Sequence, residues 1–507
     1  MFVLTSSATF VAFPPGGAEA GSAIFFILNG ALIVAATGIL VWLWTWLRSQ
    51  DLVAANTRVR NFLLSSTILF VLALGAIFNV STAAYLGYEV PRDIMQDIQS
   101  AKLLWAGQPA FPRDMTEQIK ETLDQEPPPV SLAKWVPGLA VIEREGYQYL
   151  VKEPWTQAHP AGVTLLLASL VPWLHVRSIM LLFSLMSVAS LLGTVWLLRS
   201  ELRIPDDSRL WLAFTLALLG WFPFWIVVRT GQVSFLLAFL MTLAWSFLRR
   251  ERSVAAGICL GVATALKLFP GFLIVYLLLR RRKAFWPAAL TAGTLLVGSF
   301  GLVGWRNSLD YFRVVNFVQE YYRGYKANLS MLSVFSGLAP SLDARWHFAI
   351  MLSRVFLVAV LGFLAWSVTR KSRTVAGMPT LDIEYAMFMV LLPVLSPVSW
   401  DHYMVVLALP LAVVISCLRT GSVFSENPWR VAGFVLTAAI LAVPEHFAAW
   451  IARMVYPAML LFKLPVVAVF GVFFLLWGLR MQLAQPSREI PFKKHSDEGI
   501  PERPVAA

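Results

Sequence analysis

Charge is scarce in this sequence. Asp, Glu, Lys and Arg make up 14% of its 507 residues, against about 25% in soluble domains. With 58% of residues hydrophobic and a mean hydropathy of +0.68, an ordinary water-soluble domain is excluded. Cysteine is nearly absent. Cys259 and Cys417 both fall in apolar runs, so neither a disulfide framework nor a cysteine metal site is expected. There is no Walker motif, no metal-spaced Cys/His cluster and no internal repeat. Acid is scarcer than base, 29 residues against 41 for a net charge of +12. The excess does not point to nucleic acid, because the basic residues sit in short clusters between apolar runs, the topology mark of membrane proteins. No basic region precedes the first apolar run, so a cleavable signal peptide is not expected.

What is present is a succession of membrane-length apolar runs, each near the roughly 20 residues that a spanning helix needs. They cover about 22–47, 61–86, 177–199, 209–228, 232–248, 284–305, 346–369, 381–397, 403–418, 430–447 and 457–479. Basic clusters separate them at 48–60, 197–203, 248–253, 280–283 and 369–373, and again after Arg480. All of these can be cytoplasmic on one condition. The run 254–279 has "RRER" before it and "RRRK" after it, and a single helix cannot begin and end on the same side. The sequence therefore predicts two short helices in a hairpin, with "KLFP" at the tip. Proline removes a backbone donor and disfavours helix at the residue before it, so "FPG" is a natural bend. Lys267 then faces the exterior or a cavity, either snorkelling to the interface or holding an anionic group.

The fold expected is all-α and polytopic, with about thirteen membrane segments, several of them short or broken. The N-terminus is placed outside and the C-terminus inside. The piece 159–174, "HPAGVTLLLASLVPWL", must not cross and reads as a re-entrant or interfacial helix. Residues 1–60 read as an extra N-terminal segment and cytoplasmic loop, 61–480 as the main membrane domain, and 481–507 as a disordered cytoplasmic tail.

Two exterior loops are long, 89–160 and 306–345. The first opens with "RDIMQDIQSAKLLWAG". Ile94, Ile98, Ala101 and Leu104 have helical spacing, which suits an amphipathic helix on the membrane. Asp93 and Asp97 share a face of it, and Gly107 is its expected C-cap. The plainer reading makes Asp93 a helix cap and Asp97 a solvated residue. The second loop, rich in Tyr, Asn, Arg and Lys, suits sugar hydroxyls and a phosphate through Tyr322, Arg323, Lys326 and Asn328, or an interfacial aromatic belt. Two smaller turns, "VRTGQVSF" and "LSPVSWDHYMV", bring Arg229, Gln232, Trp400, Asp401 and His402 to the same side. Cations, carboxylates and a histidine thus converge on one membrane face from distant segments, which favours a shared polar pocket.

These segments have a familiar form. "GQVSFLLAFLMTLAW", "AAGICLGVATALKLFPGFLIVYLLLRRR" and "LSPVSWDHYMVVLALP" together resemble glycosyltransferase family 87 of the GT-C membrane enzymes, whose characterised members are similar to polyprenol-phosphate-mannose-dependent α-mannosyltransferases. "RDIMQDIQSAKLLWAG" fits the family's acidic residue, amphipathic helix and terminal glycine. The insertion at about 112–152 and the first span, 22–47, depart from it.

The resemblance implies a sugar donor carried on a polyprenyl phosphate in the bilayer and a glycolipid or glycan acceptor. Transfer would invert the anomeric centre on the exterior face of a bacterial plasma membrane, with mannose the family default and neither metal nor cofactor called for. Asp93, fourteen residues before Gly107, lines up as the general base, with Asp97 in reserve. Lys267, Arg229 and His402 would hold the leaving phosphate. Gln232, Trp400, Asp401, Tyr322, Arg323, Lys326 and Asn328 would contact sugar or acceptor. The competing class is a transporter or flippase of a lipid-linked or anionic substrate, which also uses broken helices and intramembrane charge. A lipid-linked polymer ligase is a third. Sugar transfer in detergent separates the first from the second.

Overall fold

The structure is a computed structural model. It describes residues 92–116, 118–119, 159–202, 208–322, 328–338, 343–370, 380–420, 428–441 and 463–484, with positions 69–70, 72–73 and 75–76 of an earlier helix. The expected first span, most of the insertion at 112–152 and residues 485–507 of the C-terminal tail lie outside the described residues, while the first four tail residues continue a helix. Every regular element that is described is helical.

The order is α1 (Arg92–Trp105), α2 (Ala161–Ala168), α3 (Val176–Leu202), α4 (Ser208–Leu219), α5 (Phe222–Thr230), α6 (Ser234–Arg249) and α7 (Ser253–Leu266). A 3₁₀ turn at Phe269–Gly271 precedes α8 (Phe272–Arg280), α9 (Arg282–Val303), α10 (Trp305–Tyr322), α11 (Met331–Leu338), α12 (Asp343–Thr369) and α13 (Thr380–Leu395). A 3₁₀ helix at Asp401–Leu407 leads into α14 (Ala408–Thr420), followed by α15 (Pro428–Leu441) and α16 (Leu464–Ala484). Among the described residues, five stretches are long and apolar enough to cross a membrane: Ser178–Leu202, Arg282–Val303, Phe348–Thr369, Asp401–Leu418 and Leu464–Leu483.

Two expectations change in detail. The run 209–228 is two short helices, α4 and α5, because Pro223 lacks the N–H that a continuing ladder needs and sits instead in the first turn of α5. The polar stretch 306–338 is largely helical. Tyr311, Val314 and Val318 of α10 are buried against Phe111, Ala161 and Val303 in a small cluster apart from the main core.

The segment 253–280 doubles back. A Cβ built on Gly257 would lie 2.5 Å from the carbonyl oxygen of Ala284, and one on Gly261 would lie 2.8 Å from that of Ala288. Four residues along α7 thus match four along α9, so the two helices run parallel with backbones nearly touching. The return is made by α8 between them. At 14 residues α7 is about 21 Å long, short of the roughly 30 Å of hydrocarbon in a bilayer. The basic clusters on either side of the segment therefore meet at one end of the molecule.

At the centre stands α13, buried continuously from Leu381 to Val394. Its first turn carries Asp382 and the next turn begins with Glu384, carboxylates that need partners when buried. Trp245 Nε1 donates to Asp382 at 2.9 Å, and Arg249 lies 3.6 Å from the same carboxylate. Glu384 accepts from Arg280 at 3.0 Å and from Arg480 at 2.9 Å. Arg480 is fully enclosed and also donates to the carbonyls of Val368 and Arg370. This network lies at the C-terminal ends of α6 and α8. The other end of α6, 16 residues away or about 24 Å, holds a different set of polar groups.

Candidate active site

The site forms around α1. Asp93 in its first turn and Lys102 in its last suit the helix dipole. Ile94, Met95, Ile98 and Ala101 are buried together, which fixes the helix and presents Asp93 and Asp97 along an adjoining strip. The helix stops where the sequence expects. Gly107 adopts a left-handed φ of 67°, and Gln108 N–H returns to the Leu103 carbonyl at 2.9 Å, a Schellman closure.

The turn between α5 and α6 lies directly under α1. Gly231 has φ +68°, and a Cβ there would sit 2.8 Å from the Ile94 side chain. Only a glycine lets the chain turn and lets α1 approach this closely. Gln232 follows and bridges two charges. Its Nε2 donates to Asp93 Oδ2 at 2.6 Å, and its Oε1 accepts from Lys267 Nζ at 3.0 Å.

Lys267 occupies the break between α7 and the 3₁₀ turn, outside the five candidate spans, in extended backbone with φ −154° and ψ 132°. Its side chain is only 6% exposed. The ammonium stands 4.3 Å from the centre of the Tyr403 ring, and that ring stacks on Phe269 at 4.9 Å. The aromatic face stabilises the cation. Burial nevertheless lowers the lysine pKa to about 7, with the charges of Asp93 and Asp97 opposing the drop. The answer to the sequence question is therefore an enclosed lysine bound to a glutamine, not one snorkelling to the interface.

His402 packs edge-on to Tyr403, with centroids 4.8 Å apart, and is 3% exposed. Its Nε2 has no hydrogen-bond partner among the described residues, and both Lys267 and His159 act on it electrostatically. The sequence reading passed over His159. Its Nδ1 lies 2.9 and 3.0 Å from the two carboxylate oxygens of Asp97. An ionised carboxylate only accepts, so this ring nitrogen is the donor. A histidine before proline at the head of an apolar run was the available signal, but the partner is 62 residues earlier. Tyr403, which carries the cation–π contact, was hidden in the same way, as one aromatic in an apolar run.

The remaining expected residues divide. Tyr322 meets Trp400 edge to face at 5.1 Å, and Asp401 is buried beside His402. Asn328, expected to touch sugar, is enclosed by protein. Its oxygen accepts from the Ser330 and Ser399 amides, each at 3.0 Å, and its amide donates to the Tyr322 carbonyl. It clamps the chain after α10 to the Trp400 turn, assisted by Lys463, which donates to the Asn328 carbonyl and to Ser333. Arg229 lies in the last turn of α5, and its side chain is outside the described residues, as are Arg323 and Lys326.

With this geometry in place, comparison with known proteins is informative. Residues 158–391 match the family model described as Glycosyltransferase family 87. The chain resembles glycosyltransferase family 87. The matched segment holds His159, Gln232 and Lys267, while Asp93, Asp97 and His402 flank it. A polyprenol-phosphate-mannose-dependent alpha-(1-2)-phosphatidylinositol mannoside mannosyltransferase of Mycolicibacterium smegmatis is 32% identical over 198 residues, covering 38% of this chain and 44% of the relative. The protein of the same name from Mycobacterium tuberculosis is 31% identical over 171 residues, 32% of this chain and 36% of the relative. The chain thus spans less than half the length of the curated relatives it matches. No solved structure matches it.

Chemically, the matched segment and its flanks join a carboxylate, an amide and an ammonium in one hydrogen-bonded line, with a carboxylate–imidazole pair alongside. One half suits a proton acceptor and the other the stabilisation of an anion.

Proposed function

We propose that this chain is a membrane glycosyltransferase. It moves a sugar, mannose by analogy with its relatives, from a polyprenyl-phosphate carrier to a hydroxyl of a glycolipid or glycan. The observation that carries the reading is the line Asp93–Gln232–Lys267, which sets a base and a cation side by side. In the reaction the acceptor oxygen bonds to the anomeric carbon as the bond from that carbon to the phosphate oxygen breaks. The hydroxyl proton passes to Asp93. The phosphate leaves with the bonding electrons and is held by Lys267, assisted by His402 and Arg229. A single displacement of this kind inverts the anomeric centre.

The membrane reading is a chain of about thirteen segments, with the basic end in the cytoplasm by the positive-inside rule and the site at the exterior face of a bacterial plasma membrane. The distribution of charge supports an enzyme over a transporter. The described buried charges form two groups at opposite ends of α6, and among the described residues no charged side chain of α6 or α13 stands between them.

Transfer from mannosyl polyprenyl phosphate in detergent tests the reading. Asp93→Asn is nearly isosteric but accepts no proton, and should lower transfer by about 10²–10⁴ while melting temperature and donor binding are kept. Wild-type rates in both Asp93→Asn and Asp97→Asn would refute a base on α1 and leave Asp401 as the next carboxylate.

A further inference from the structure

The beginning of α6 is electrostatically incomplete. Its first backbone bond runs from Leu237 N–H to the Val233 carbonyl at 3.0 Å. The N–H groups of Ser234, Phe235 and Leu236 therefore meet no backbone acceptor among the described residues, and the N-cap, Val233, supplies no side-chain cap. Such groups are normally satisfied by a capping side chain, water or a ligand. Here the end is enclosed: Ser234 is 0% exposed, and its hydroxyl has no partner either among the described residues.

What faces this helix end is another positive group. Gln232, two residues before Ser234, holds the ammonium of Lys267. Asp93 reaches the far side of that glutamine, and no carboxylate contacts the ammonium directly among the described residues. The 3₁₀ helix Asp401–Leu407 packs against α6 and brings in His402, whose buried Nε2 is unsatisfied. A positive helix end, three orphan N–H groups, a hydroxyl and a lysine gathered in a buried place make a binding site for an anion with several acceptor oxygens.

We propose that the first turn of α6, through the N–H groups of Ser234, Phe235 and Leu236 and the Ser234 hydroxyl, is a phosphate seat completed by Lys267. The assignment of that phosphate to a polyprenyl lipid rests on the function proposed above. The seat itself rests on the helix terminus. It deals with the leaving group's charge by fixed backbone dipoles as well as by a side chain, so the developing negative charge is met with no rearrangement.

The test uses the full chain in detergent and binding in place of turnover, with three probes: a long-chain polyprenyl phosphate, the neutral polyprenol of equal length, and inorganic phosphate. Ser234→Asp places a carboxylate in the seat at the first helical position. The helix end favours that charge, so the melting temperature should hold or rise while polyprenyl-phosphate affinity falls roughly a hundredfold. Ser234→Pro removes both the N–H and the hydroxyl, suits the first position of a helix, and should weaken the lipid phosphate roughly tenfold. If Ser234→Asp does not fold, Ser234→Pro decides. Folded variants that bind the lipid phosphate like the wild type would overturn the seat. So would a wild type that binds polyprenol as well as its phosphate. Displacement of the lipid phosphate by an equal concentration of inorganic phosphate would overturn the lipid as the source. Intact binding with its Ser234 dependence, but no sugar transfer, would remove the transferase reading and keep the seat. Normal transfer by Ser234→Asp would do the reverse.

Discussion

Gln232 is the most revealing position to change, because it separates what the site costs in stability from what it gives in rate. Gln232→Met keeps length and loses both hydrogen bonds, the donation to Asp93 and the acceptance from Lys267. A hydrogen bond to a charged group contributes about 1.5–3 kcal/mol. Asp93 is half-buried, so water replaces the lost donor and the low end applies. Lys267 is enclosed, so the high end applies. Together the charged arrangement loses roughly 4 kcal/mol. Stability need not fall so far, because Lys267 has a second course open to it. Its pKa is already about 7. Without Gln232 it drops further, and at neutral pH the lysine sheds its proton at little cost. A neutral lysine no longer holds a phosphate, so the whole effect falls on transfer. We expect a melting shift of a few degrees, kcat/KM for the donor down close to a thousandfold at pH 7, and partial recovery near pH 6. The assay is radiolabelled sugar transfer across a pH series with melts at each point. A variant within threefold of wild type at pH 7, or one that does not recover on acidification, would refute the reasoning.

Other outcomes follow from the same geometry. Lysine is charged below its pKa and neutral above it, so wild-type affinity for polyprenyl phosphate should hold at pH 6 and weaken as pH rises through about 7, less steeply than for an isolated lysine because Asp93, Asp97, His402 and Tyr403 surround the ammonium. Lys267→Arg should remove that limb, seen by titrating binding at fixed salt. The Asp97–His159 pair ties α1 to the head of α2. Asp97→Asn and His159→Phe should each lower kcat about tenfold with donor affinity kept, and the double variant should be no worse than either single one; additive losses would mean the residues act separately. At the far end, Glu384→Gln strands the enclosed Arg480 and should cost about 3–5 kcal/mol of stability, largely relieved by adding Arg480→Met. Chemical or thermal denaturation of the three proteins reads this directly.

The parts of the architecture legible in the sequence were those set by local chemistry. The helix at 92–105, its glycine stop and the break at "KLFPG" follow from periodicity, capping and proline. The doubling back of 253–280 followed from basic residues at both its ends, since charge decides which ends share a side. Pairing across distance was not legible. Asp97 and His159 are separated by an insertion that obscures their relation. Asp382 and Glu384 stand near the start of an apolar run and look like an ordinary helix start until Arg249, Arg280 and Arg480 close on them. Asn328 was misleading because an amide among tyrosines suits sugar as well as it suits a loop clamp. The sequence suits Gln232 to a sugar contact, and only the position of α1 over Gly231 makes it the bridge of the site.

The touching backbones of α7 and α9 give the molecule a reference point far from its chemistry. Gly257 and Gly261 bring no side chain of their own to the contact, so α7 rests directly on the Ala284 and Ala288 backbone and on the Pro287 and Thr291 side chains of α9. From Gly257 to Lys267 is ten residues, about 15 Å of helix. A rod of that length passes an axial slip on undiminished, and its dense surroundings do not yield to it. One methyl added at the basic end would therefore displace the ammonium at the other. Drift in sequence at those two glycines is closed off by the tolerance of a binding site that neither of them touches.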